Sequence, residues 1–115
     1  LRELWDDPGQ YRVDGIWGRK AVARLFRLRE DHEFDTRPLH GLKAPLQASR
    51  RGRFPKADLN IYHLAMLKAE DREMRRRRYE EADPECRWQR IGYAYLTDES
   101  RLTLRSLTPR RGFTD

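Results

Sequence analysis

At 115 residues the chain has room for one domain and excludes a second catalytic module. A hydrophobic share of 37%, with fourteen Leu but only five Val and Ile together, is too thin to fill a doubly wound parallel sheet, so a few strands with helices are expected. Twenty-one Arg and four Lys against 19 acids give a net charge of +6, a balance that suits phosphate and carboxylate partners and that a G+C-rich coding sequence also produces.

In chain order, LRELWDD reads as the end of a helix carrying Leu1, Leu4 and Trp5, closed by a turn at Pro8-Gly9. Residues 20–28 alternate enough, with Val22, Phe26 and Leu28 on one side, to predict a strand that Arg24 interrupts. EDHEFDTRPLHG follows as an acidic loop or helical turn leading to His40. Residues 44–57 have proline near both ends, no acid, and Arg50, Arg51, Arg53 and Lys56, which predicts a mobile basic loop.

DLNIYHLAML is a nearly continuous apolar run of strand length, and KAEDREMRRRRYEEAD after it is helical by propensity, stopped by Asp83-Pro84. The arginines at 75–78 do not make that helix basic. Six bases meet six acids between residues 68 and 83, and Asp71/Arg75, Arg76/Glu80 and Arg77/Glu81 stand four apart, where opposite charges meet. A self-neutralised solvent face is the reading. CRWQRIGYAYL is expected to fold back against the body, and residues 108–115 to form a disordered tail.

The single cysteine, Cys86, excludes an internal disulfide and a cysteine-based zinc knuckle. No apolar run approaches the roughly 18 residues that cross a bilayer, and no charged-then-apolar leader opens the chain, so a cytoplasmic protein is expected. Leu rather than Met at position 1 is expected of a piece of a longer protein.

No G-x-G-x-x-G, Walker loop, G-x-S-x-G or H-E-x-x-H is present, so the residues do not support a self-contained hydrolase or nucleotide-binding domain. The histidines are the remaining chemical signal. His40 follows the acidic loop, His63 ends the apolar run at a place where α/β sheets tend to bind ligands, and His32 sits in a charged loop and is the weakest of the three. Each, taken alone, reads as a structural or surface histidine rather than a ligand.

The succession GRKAVARLFRLR, FDTRPLHG, ADLNIYHLAML and RRRRYEEADP, followed by RWQRIGYAYLTDES with Trp88, Gly92 and Tyr95, resembles the carboxyl-terminal half of bacterial family-two-like glycosyltransferases of GT-A fold. The resemblance spans about residues 5–107. It implies an α+β body of two or three strands with flanking helices, the C-terminal portion of a GT-A-like α/β domain. It also implies transfer of a sugar from a nucleotide-sugar donor to a glycan, lipid or protein acceptor, with Mn2+ or Mg2+ steadying the leaving diphosphate.

On that resemblance His40 and His63 are the metal candidates, with His40 preferred and His63 alternatively lining the acceptor side or bracing its strand. Arg19, Lys20 and Lys43 are the phosphate candidates. Trp17, beside Gly15 and Gly18, is a candidate for sugar stacking and equally for packing against Trp5 or Phe26. No D-x-D is present, so the chain alone is not expected to turn over; Asp14, Asp31 and Asp35 are available carboxylates, but all read as turn or capping residues. The competing reading is a small basic module for nucleic acid or another polyanion; a purely structural domain is the third.

Overall fold

In the computed structural model the described residues are 1–18, 20–47, 57 and 59–108. They form a small mixed α/β protein with four strands and one α-helix: β1 (Arg2–Trp5), β2 (Asp7–Arg12), β3 (Tyr62–His63), α1 (Ala69–Ala82) and β4 (Leu104–Ser106). Two compact units divide the chain, the first from Leu1–Lys20 and Leu59–Asp115, the second from Ala21–Asp58.

The first unit holds one sheet in the order β3-β1-β2-β4. β1 runs antiparallel to β2 and parallel to β3, and β2 runs antiparallel to β4. The opening segment is therefore a strand rather than the end of a helix. Its turn lies at Asp6, which adopts φ +58, and not at Pro8-Gly9, which falls inside β2. Pairing on both sides and burial of Glu3, Leu4 and Trp5 override the weak helical signal of four residues.

Met66, Trp17, Tyr93 and Leu96 pack with Trp5 in the core, so the aromatic return of residues 86–96 does fold back against the body. Trp5 meets Trp17 edge to face at 5.5 Å between ring centroids. Two arginines join this core: the Arg12 guanidinium lies 4.4 Å from the Trp5 ring centroid and that of Arg72 4.2 Å. Arg72 is 4% exposed, which corrects the view of α1 as wholly solvated. Of the three i, i+4 pairs on α1, Arg76 and Glu80 close at 2.8 Å; no ion pair forms at the other two among the described residues.

Asp83 ends α1. Its carboxylate accepts from the backbone N–H groups of Arg87, Trp88 and Gln89 and from the Tyr93 hydroxyl, which ties the helix end to the loop behind it. Burial pushes this carboxyl up, but those four donors outweigh it and hold it below the ordinary aspartate value. The apolar run before the helix contributes only Tyr62–His63 to the sheet, then turns through a 3₁₀ segment at Leu64–Met66 that buries Met66.

The second unit has no strand among its described residues. The stretch at 20–28 lacks a partner strand among the described residues, and its Leu25 and Leu28 are largely exposed. Phe26 instead joins a ring cluster with His32 and Phe34. Ala44 and Pro45 are buried and the Leu46 N–H donates to the Glu33 carbonyl at 2.8 Å, so the start of the expected mobile loop is packed. Residues 48–56, with Arg50, Arg51, Arg53 and Lys56, lie outside the described residues, as do 109–115 of the expected tail.

Candidate functional site

Glu3 is the residue around which the candidate side chains gather. β1 carries it into the sheet directly opposite His63 of β3, in parallel register, and there it is 4% exposed. One carboxylate oxygen lies 2.6 Å from His63 Nδ1, and the other accepts from Lys20 Nζ at 3.3 Å. The Lys20 ammonium also stands 4.1 Å from the centre of the Trp17 ring. A buried carboxylate thus carries two cationic or potentially cationic side chains from distant points in the chain, Lys20 at 28% and His63 at 42% side-chain exposure.

Local sequence explains the convergence. The Gly15–Trp17 3₁₀ turn begins at a glycine with φ +47, a conformation that disfavours residues with a Cβ. Gly18 follows at the point where a Cβ would come within 2.1 Å of the Val13 carbonyl oxygen. These two positions let the chain double back, so that the Lys20 carbonyl accepts from the amino terminus of Leu1 at 2.8 Å and its side chain reaches Glu3.

The sequence candidates fall into two groups. Lys20, His63 and Trp17 belong to the first unit, His40 and Lys43 to the second, and Arg19 lies outside the described residues. Trp17 is 3% exposed, packed against Trp5 and tilted on Tyr95 at 5.6 Å, so it fills the core role weighed for it and presents no open face to a sugar in this arrangement. His40 is exposed, with φ +55, in a turn clasped by Asp35, whose carboxylate accepts from the Arg37 and Leu42 N–H groups and from the Arg37 guanidinium. The guanidinium first, then those N–H groups, hold the Asp35 carboxyl far below the ordinary range.

Asp14 is engaged in the same way. It receives two hydrogen bonds from Arg12 Nε and Nη2 at 2.8 Å, and Arg12 holds its carboxyl below the ordinary aspartate pKa in spite of burial, with the Thr103 N–H adding to the effect. Asp31 is exposed beside Arg29 at 3.3 Å. Carboxylates held by guanidinium are weak proton acceptors, so neither Asp14 nor Asp35 is suited to general-base work.

Sequence reasoning missed Glu3. The only sequence signal for it is an acid inside a short apolar segment, and its partners stand 17 and 60 positions away. The chemistry of the trio is that of an anion or cation site at its rim: a lysine for phosphate oxygens and an imidazole whose Nε2 has no partner among the described residues. Among the described residues no three His, Cys, Asp or Glu side chains cluster to hold a metal, so His63 fits as one ligand and not as a complete set. No helix among the described residues is long and apolar enough to cross a membrane. No protein-family model, curated protein or solved structure matches the chain.

Proposed function

We propose that this chain is part of a glycosyltransferase of GT-A type that moves a sugar from a nucleotide-activated donor to an acceptor hydroxyl, with Lys20 and His63 beside the donor's diphosphate. The observation that carries the reading is the meeting of these two side chains on the buried carboxylate of Glu3. The motif order that resembles such enzymes supplies the reaction class, and the mixed α/β architecture is compatible with it.

Cleavage of the sugar–phosphate bond leaves charge on the departing diphosphate, and cations already in position stabilise it without reorganisation. Lys20 supplies one such charge on a long stem, steadied by Glu3 and the Trp17 face until phosphate oxygens compete for it. A bound Mn2+ or Mg2+ supplies a further charge against the diphosphate. Of the two histidines, His63 has the stronger case as a ligand, which reverses the order of preference drawn from sequence, because a carboxylate already braces its ring. His40 and Lys43 stay candidates in the second unit.

Calorimetric titration of the longer protein of which this chain is proposed to be part, extended at the amino terminus, with uridine and guanosine diphosphates, with and without Mn2+ and at two salt concentrations, tests the reading. Expected is binding that requires the ion, distinguishes the nucleotides, and weakens about tenfold in Lys20→Ala, the loss of one charge-assisted contact. Binding that ignores the ion and collapses with added salt favours the polyanion module instead. Absence of binding to either nucleotide refutes the proposal.

A further inference from the structure

We propose that Glu3 is a positioning residue: it fixes His63 with its proton on Nδ1 and so leaves Nε2 as an electron-pair donor to a divalent cation. A carboxylate oxygen accepts and does not donate, so a contact of 2.6 Å requires hydrogen on Nδ1. Neutral histidine in water favours the other form, with hydrogen on Nε2, which has no lone pair in the ring plane to offer a metal. The partner of one ring nitrogen sets the role of the other.

Three features make Glu3 able to hold that choice. Its backbone is locked opposite His63 by the β1/β3 pairing, so the separation does not depend on a flexible loop. The carboxylate is buried, where a charge-assisted hydrogen bond is stronger than in water. Its two oxygens are divided, Oε2 to His63 and Oε1 to Lys20, so the lysine neutralises the carboxylate without displacing the imidazole.

The choice of cation rests on the glycosyltransferase reading, whereas the ring form does not, and the experiment separates them. Long-range 1H–15N correlation of the His63 ring in the 15N-labelled chain reads the proton's position directly and tells each neutral form from the doubly protonated ring. The expected result is the Nδ1–H form in the native chain and in Lys20→Met. It is retained in Glu3→Gln, which keeps an acceptor oxygen, and lost to the Nε2–H form in Glu3→Met, which keeps the bulk. Paramagnetic broadening of the His63 ring by added Co2+ should need roughly tenfold more ion in Glu3→Met, the usual scale for loss of a ligand's outer partner.

A native ring in the Nε2–H form overturns the proposal whether or not Glu3→Met folds, as does an unchanged ring in a folded Glu3→Met, judged by the dispersed indole signals of Trp5 and Trp17. Equal Co2+ requirements also overturn it. If ring form and Co2+ behave as expected while neither nucleotide binds, Glu3 keeps its role and the nucleotide-sugar reading falls.

Discussion

Replacing Arg72 by Met tests whether the core depends on a buried guanidinium. Arg72 donates to the Met66 and Leu67 carbonyls at 2.9 and 3.1 Å and to Asp6 and Glu99 at 2.8 and 2.9 Å, while its plane covers Trp5. The two carboxylates are nearly half exposed and regain water when the arginine is removed, so their loss costs little, about 0–1 kcal/mol. The Met66 carbonyl lies in a buried residue and loses its donor, about 1–2 kcal/mol, and the contact with the Trp5 face contributes about 1 more. The Leu67 carbonyl retains the Asp6 N–H at 2.9 Å.

A loss of about 3 kcal/mol follows, which urea unfolding followed by indole fluorescence reads as a midpoint lowered by about 2 M for a chain of this size. A double-mutant cycle with Trp5→Leu isolates the stacking share, expected near 1 kcal/mol. Because the contact is desolvated, 0.5 M salt should leave the native midpoint nearly unchanged. A loss under about 1 kcal/mol, or a gain of stability such as apolar replacement of a buried ion sometimes gives, would refute the reasoning.

Gly18→Ala places a methyl 2.1 Å from the Val13 carbonyl oxygen, so the turn must open; a loss of about 2–4 kcal/mol and disorder around Lys20 in amide exchange are expected. Tyr93→Phe removes one of the four donors to Asp83 and should lower the urea midpoint by less than Arg72→Met does, with faster amide exchange at Arg87, Trp88 and Gln89. The depressed pKa values of Asp14 and Asp83 add stability that is complete above the ordinary aspartate value near about pH 4 and is lost as pH falls through the folded-state values. Stability measured from pH 6 down to 2 should therefore decline at the acid end, and Asp14→Asn should flatten that decline; an unaltered slope contradicts the ion-pair account.

The parts of the fold visible in the sequence are those fixed locally. Asp83-Pro84 ends α1 because the chain cannot continue the helix there, and the helical propensity of residues 69–82 needs no distant partner to be read. Most of the sheet was not legible, for the opposite reason. β1, four residues long, is held by β2 on one side and β3 on the other and leaves no periodic signature, and of the apolar run that does announce a strand at residues 58–67 only Tyr62–His63 pairs as β3. Residues 20–28 show the converse, with alternation present and no strand among the described residues to receive it. At the site, Lys20 and His63 were legible as residue types beside motifs, whereas Glu3 became visible only once β1 and β3 were in register.

The thin apolar composition and the buried charges are connected. With few large aliphatic residues to spare, the first unit completes its interior with Arg12 and Arg72 against the faces of Trp5. Arg12, Arg72 and Asp83 each also bind backbone: the Asp98 carbonyl, the Met66 and Leu67 carbonyls, and the N–H groups of three successive residues after α1. Their burial is offset by the loops they fasten. The Glu3 carboxylate differs, because its contacts are to the side chains of Lys20 and His63 and among the described residues it fastens no loop backbone. What its burial secures is the orientation of two side chains, both open to solvent at their rim, and that is the arrangement expected where charge on a ligand has to be met.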